Sequence, residues 1–402
     1  MPLNPEIRLE KELAGQIYQA LQGDVVKFVL KNAEYSSDSD SYWRSKMEGH
    51  CMKADRNLLA DFYNLCQDVK NRLGFDEPVD FYVTGSSEIN AFSIAAEGDQ
   101  PHIVNVNSEL FNLMDEDELR FVVGHELGHL INRDTALKRL IYFVYPPQSV
   151  VPPVTLQYKI RLHDNLAELV ADRYGYLACG NLDACVRAFF KMASGLDLGR
   201  MHVSIDDLLS DNSKHLDYFL RGGGMSHYDH PVNPIRVQAI NLFARASSQD
   251  ELDKGMEDLI QILLKIGNSP LDGPMSVFLA TAGIIAANID GKVEKEEYEH
   301  IIRSLSNANI FPKKFLGEVL EKDVDKLFES SVKQLLHLNP GLKPALLEYI
   351  IGVILSDKSI AEKEVNFIYH IGQQLGLSVK EISLIFADLV QRSFVPSLDS
   401  IS

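Results

Sequence analysis

His125 and His129 stand four residues apart in "VVGHELGHLINRD" (122–134), with Glu126 directly after the first. On an α-helix, positions i and i+4 project from one face a turn apart, so both imidazoles can reach a single metal ion. Zinc accepts neutral imidazole, and a carboxylate beside it can take a proton from an attacking water. The same spacing also arises when two histidines merely share a helical face, so a third ligand has to separate the two readings. Glu168, in "NLAELVADRYG" (165–175), would complete a His-His-Glu set and leave a fourth position for water. Asp172, one turn on, could accept a hydrogen bond from the far nitrogen of a ligand histidine and fix its tautomer. A solvated acidic face is the alternative. Glu168 is embedded among Leu166, Ala167, Leu169 and Val170, which favours an inward position.

The elements that must hold these residues are legible from period and punctuation. Residues 54–74 carry Leu58, Leu59, Phe62, Leu65, Cys66, Val69 and Leu73 at helical spacing. Short β-rich runs follow, "VDFYVTG" (79–85), "INAFSIA" (89–95) and "HIVNVN" (102–107), the last two alternating apolar and polar residues as half-buried strands do. The segment from Asp115 to Arg133 reads as the metal helix, opened by a capping-box pair of Asp115 and Glu118. Further helices are expected over roughly 163–178, 181–194 and from Pro234 onward. The pattern weakens between 197 and 230, ending in "RGGGMSHYDHP".

In this order the motifs resemble the HtpX and CAAX-prenyl-protease type of zinc metallopeptidase, family forty-eight, a gluzincin family. Its pattern is N-A-F before an edge strand, H-E-x-x-H on one helix, E-x-x-x-D on a later one, then H-P followed by Arg. Here these are Asn90-Ala91-Phe92, His125-Glu126-x-x-His129, Glu168-x-x-x-Asp172, and His230-Pro231 with Arg236, covering roughly residues 55–245. The resemblance implies metal ligands His125, His129 and Glu168, with Glu126 as general base. It implies that His230 and Arg236 act near the scissile carbonyl, although His227 competes with His230 for that place. It also implies substrate held along Asn90, Ala91 and Phe92. The chain departs from many relatives in one respect. Their apolar membrane helices shrink here to the Pro- and Tyr-containing stretch 140–160, which speaks against membrane-resident or prenylated substrates.

The remaining signals bound the reading. The chain has 402 residues, 39 Lys+Arg against 57 Asp+Glu, and a formal charge of -18, which argues against nucleic acid and anionic membranes as partners. No signal peptide and no membrane span is expected, and four cysteines read as small core residues, so the cytoplasm is the expected compartment. The break "IGNSPLDGP" (266–274) divides an expected catalytic domain, 1–265 (N-terminal helices 1–75, core 76–245), from a helical module, 275–402. That module repeats "GIIAANIDGKVEKEE" (283–297) as "GVILSDKSIAEKE" (352–364) and resembles the tellurite-resistance TerB-like domain. Its first acidic turn, in "NIDGKVEKEEYE", lacks the alternating oxygen ligands of a calcium loop.

The expectation is therefore an α+β fold: a mainly helical, zincin-like catalytic domain with a small sheet, plus an all-α C-terminal domain. The expected activity is that of a zinc metalloendopeptidase acting on peptides or unfolded protein, with Zn2+ as cofactor and a site for a protein partner on the C-terminal helices. Two other readings stand beside it. One is a stress-linked interaction protein with a vestigial peptidase half, and the other is zinc hydrolysis of a non-peptide amide.

Overall fold

The computed structural model of the chain describes residues 3–32, 36–96, 100–147, 149–198, 203–220, 230–266, 270–287, 313–355 and 360–394. Among them the chain is predominantly helical around one four-stranded sheet, the expected α+β class. Contacts divide it into two compact units. The first takes residues 1–151, 160–224 and 228–259, the second 152–159, 225–227 and 260–402.

In the first unit, α1 (Arg8–Ala20), α2 (Gly23–Asn32) and α3 (Ser36–His50) lead into β1 (Met52–Lys53) and α4 (Ala60–Leu73). Then come β2 (Val79–Thr84), β3 (Ala91–Ile94) and β4 (His102–Asn107), followed by α5 (Ser108–Leu113), α6 (Glu116–Asn132) and α7 (Asp134–Val144). The set continues with α8 (Val154–Cys179), which belongs to this unit from residue 160, α9 (Leu182–Ser194), α10 (Ile205–Leu220), α11 (Asn233–Arg245) and α12 (Gln249–Ile266), which belongs to it up to residue 259.

The strand order is β1-β2-β4-β3, with β2 and β4 parallel and the outer pairs antiparallel, so β3 is an edge. One face of the sheet, with Phe81, Val104, Val106 and Ala91, joins the core built by Phe62, Leu65 and Val69 of α4, Val122, Val123 and Leu127 of α6, and Phe189 of α9. The other face carries Tyr82, Ile103, Phe92 and Ile94 against Met47 and Trp43 of α3. β4 is central, and the polar members of its alternation do not face water. Asn105 is fully buried, accepts the Thr84 hydroxyl at 2.6 Å and donates to Asn107 Oδ1 at 3.1 Å. Buried amides that are paired in this way cost little, and alternation alone cannot tell them from a wetted face.

Elsewhere the structure moves some boundaries. The helix read from residue 54 begins only at Ala60, because Asp55 Oδ1 accepts the N–H groups of Asn57 and Leu58, both at 2.7 Å, and closes a turn instead. α8 starts at Val154, well before the expected 163. α10 fills part of the stretch where the pattern weakened, with Ser204 accepting the N–H of Asp207 at its start. α6 begins as expected, with Asp115 Oδ1 accepting from Glu118 N–H at 2.9 Å and Glu118 returning the bond at 2.8 Å. Of the four free cysteines Cys66, Cys179 and Cys185 are buried, while Cys51 is only half-buried. The Cys179 thiol donates to the Asn181 carbonyl at 3.6 Å.

In the second unit α13 (Asp272–Ala287) packs on the helices Val324–Leu338 and Lys343–Ile354. Phe278 stacks on Phe328 at 5.8 Å, and the Tyr349 hydroxyl donates to the Leu279 carbonyl at 2.9 Å. Helices Lys313–Leu320, Glu362–Gln374 and Val379–Phe394 complete what is described. Both acidic turns of the repeat, Asp290-Gly291-Lys292 and Asp357-Lys358-Ser359, lie outside the described residues. No described helix is long and apolar enough to cross a membrane.

Candidate metal centre

The close crossing of α6 and α8 is what brings the ligand residues together. A glycine precedes each histidine of the metal motif, and both face α8. A Cβ on Gly124 would stand 2.5 Å from Ala178 Cβ and 3.0 Å from Gly175 Cα. One on Gly128 would stand 2.8 Å from Tyr174 Cβ and 3.0 Å from Ala171 Cα. Glycine inside a helix costs roughly 0.5–1 kcal/mol relative to alanine, so its presence twice in one face needs a reason. Here the reason is backbone approach, which sets Glu168 and Asp172 against His125 and His129.

His125 Nε2 and His129 Nε2 face each other at 3.1 Å. Glu168 lies 3.5 Å from each, through Oε2 to His125 and Oε1 to His129. Among the described residues this trio forms the only such cluster, with its ligand atoms all within 4.8 Å of one another. A tetrahedral zinc with Zn–N near 2.0–2.1 Å places its ligand atoms about 3.3–3.4 Å apart, so the donor set fits that ion. The far nitrogens point to carboxylates. His125 Nδ1 is 2.8 Å from Asp172 Oδ1, and His129 Nδ1 is 2.6 Å from Asp134 Oδ2. The Nδ1 bond to Asp134 turns the Nε2 lone pair of His129 inward, which is the tautomer a metal requires, and Asp172 stands beside His125 Nδ1.

The electrostatics point the same way. Burial opposes charge on His129, yet Asp134, Glu168 and Glu126 push it up to about 10. Glu168, although burial raises it, is brought down to about 2 by His129, Arg236, His125 and His230. A site that drives its histidine to hold a proton is a site that favours a cation. Asp172 is kept well below the usual carboxylate range, against burial, by Arg236 and His125.

Glu126 is buried on α6 beside the trio. His230 has a side chain 56% exposed with Nε2 at 3.8 Å from Glu168 Oε2, so it adjoins the cluster and remains open to solvent. Arg236 sits deeper. It donates to Asp172 through Nε at 2.8 Å and Nη2 at 2.6 Å, packs over Phe189 at 4.9 Å, and reaches Glu168 Oε2 at 3.3 Å. Its charge therefore meets the site through two carboxylates. His227 lies outside the described residues.

The edge strand lies against α6. Asn107 N–H donates to the Asn90 carbonyl at 3.0 Å and Ala91 stands opposite Val106, so Ala91 and Ser93 occupy non-hydrogen-bonded positions toward β4. Their N–H and C=O groups point to the open edge. Asn90 Oδ1 accepts the Ala91 N–H at 2.9 Å, while Arg139 donates to the Ala95 carbonyl. Phe92 is not brought to the metal side, because its ring packs on Trp43 at 5.7 Å on the opposite face.

Two features escaped the sequence reading. Asp134 follows an α6–α7 break at Arg133, whose φ of 64° turns the chain left-handed and folds the next carboxylate back onto His129. Spacing on a continuous helix would not predict that return. The glycines Gly124 and Gly128 did carry a signal, as small residues four apart on the metal helix.

Residues 61–151 match peptidase family M48. The chain is 27% identical over 220 residues to "Plastoglobule-localized metallopeptidase 48, chloroplastic" of Arabidopsis thaliana, covering 51% of this chain and 63% of that one. It is 29% identical over 132 residues to a "Protease HtpX homolog" of Sulfurihydrogenibium sp., covering 31% and 42%. Another "Protease HtpX homolog", of Thermoplasma volcanium, is 33% identical over 85 residues, covering 21% and 27%. The chain thus spans less than two thirds of the length of these relatives. No solved structure matches it.

Proposed function

We propose that the chain is a zinc-dependent metalloendopeptidase. The observation that carries this reading is the convergence of His125, His129 and Glu168 at ligand-to-ligand distances of 3.1 and 3.5 Å, each histidine backed by its own carboxylate. Zinc held there supplies Lewis acidity and a water acidified to near neutrality. Glu126 takes the proton from the attacking water and returns it to the leaving amine nitrogen. His230 reaches from the solvent side to hydrogen-bond the oxygen on which charge develops. Arg236 is a positioning residue in this account, since it locks Asp172 and through it the His125 ring.

Substrate adds in extended form to the open edge of β3, where the outward groups of Ser93 and the Ala91 carbonyl supply main-chain bonds. Such addition needs an unfolded chain or a flexible loop, which makes folded proteins poor substrates. An intact Glu126 beside an assembled ligand set speaks against a vestigial site. The four free cysteines support a cytoplasmic compartment, and the helical C-terminal part is proposed as a TerB-like accessory module that takes a protein partner.

Metal analysis of the purified chain, joined to a digest of an unbiased peptide library, tests the reading. One zinc per chain with cleavage inside peptides is the expected result. A zinc-loaded chain that cuts no peptide but hydrolyses simple amides would replace it with the non-peptide reading.

A further inference from the structure

The register that turns Ala91 and Ser93 outward also points the Ala95 carbonyl to the open edge of β3. Arg139 of α7 donates to that carbonyl, so a cationic side chain stands on the side from which a strand would add. At the other end Asn90 takes the Ala91 N–H, which leaves a short open stretch centred on Ser93. Strands rise about 3.3 Å per residue, so a chain bonded to Ser93 reaches Arg139 about two residues further on.

Arg139 is not alone there. It lines a cavity of about 730 Å³ together with Lys27 of α2, Arg133 at the head of α7, and the apolar Leu137 and Leu140. Lys27 and Arg133 are both exposed. The two carboxylates of the lining are each engaged by a histidine. Glu10 Oε1 lies 2.9 Å from His163 Nε2, and Asp134 Oδ2 lies 2.6 Å from His129 Nδ1. Burial opposes charge on His163, yet Asp164 and Glu10 push it up to about 9, so it offsets the charge of Glu10 near neutral pH. The three cations therefore set the sign of the space beyond the strand's end. In a chain of formal charge -18, a cationic lining is not a by-product of composition. Like charges gathered at one mouth repel, and an acidic ligand relieves that repulsion.

We propose that this cavity is a specificity subsite for acidic peptides, taking a substrate Asp or Glu about two residues from the one bonded to Ser93. The carboxylate meets Arg139, Arg133 and Lys27, while the adjoining substrate residue rests on Leu137 and Leu140. This preference rests on the reading of the chain as a peptidase that adds substrate to β3.

A peptide that the full-length, zinc-loaded chain cleaves is scanned one position at a time with Glu and with Lys, reading kcat/KM. On one side of the scissile bond, at one position or two adjacent ones, Glu should exceed Lys by about tenfold or more, the worth of a charge-assisted hydrogen bond. The ratio should shrink as salt is raised. Arg139→Gln should bring it toward one. A ratio cancels any general loss from a loosened β3, so an Arg139 that only caps the strand would leave it unmoved. Should Arg139→Gln not fold, the double variant Lys27→Gln with Arg133→Asn reads the same ratio from exposed positions, asparagine tolerating the φ of 64° at residue 133. A ratio near one throughout the scan, or one that the folded variant leaves undiminished, overturns the preference and leaves the peptidase reading standing. A zinc-loaded chain that cuts no peptide removes the peptidase reading and the preference with it.

Discussion

Each ligand histidine depends on a carboxylate that never touches the metal position. Asp172 is the partner of His125 and is itself gripped by Arg236 at 2.6 and 2.8 Å. Asp134 is the partner of His129 at 2.6 Å. Losing such a partner typically costs about 10–100-fold in metal affinity. Asp134→Asn should therefore weaken zinc by about that factor in a chelator competition while leaving the fold intact. Unchanged affinity would mean that the Asp134 contact does not orient the ring. Of these residues, His125 with His129 and Glu168 with Asp172 could be paired from helical spacing, and the structure brings the four side chains together. Asp134 could not, because its approach depends on the left-handed turn at Arg133.

At the scale of elements, the site exists because α6 and α8 approach at glycine. Gly128→Ala would set a Cβ 3.0 Å from the Ala171 Cα, and backbone cannot give way as a side-chain tip can. Overpacking of this kind costs about 1–3 kcal/mol, more than the roughly 0.5–1 kcal/mol that alanine returns to the helix. The expected outcome is a lower Tm together with weaker zinc binding, since separating the helices also separates the ligands. A variant as stable as the parent, with full zinc affinity, would show that the close crossing is not what assembles the site. The edge strand makes a second claim. Asn90 already occupies the Ala91 N–H, so the outward donor left for substrate is that of Ser93. Ser93→Pro removes it without breaking a bond to β4, and should lower peptide turnover by about tenfold, the worth of a main-chain bond or two, with zinc retained. Full turnover in a folded Ser93→Pro chain would exclude strand addition at that position. Sequence alternation located β3, but not which of its amides face outward, because that follows from pairing register.

At the scale of the whole molecule, composition and breaks suggested two parts, with the second proposed to begin at 275. By contacts, residues 260–402 group with 152–159 and 225–227 in the second unit. The reason is visible at Ser276, whose hydroxyl donates to the Leu264 carbonyl at 3.0 Å, so the end of α12 belongs with α13. A fragment of residues 260–402 should accordingly be helical, melt cooperatively and hold no stoichiometric zinc, by circular dichroism and metal analysis. A fragment starting at 275 should be less stable than the longer one. If 260–402 stays unfolded unless the preceding residues are present, the two-part organisation is wrong.

The central claim joins these scales: a metal held by His125, His129 and Glu168 serves peptide hydrolysis in which Glu126 moves the proton. Glu126→Gln is nearly isosteric, deletes the base and touches no ligand. The decisive measurement is the peptide-hydrolysis rate of this variant beside the parent at matched zinc content. Loss of a general base should reduce the rate by at least about a hundredfold with one zinc still bound. A zinc-loaded Glu126→Gln chain that cleaves peptide as fast as the parent would contradict the account.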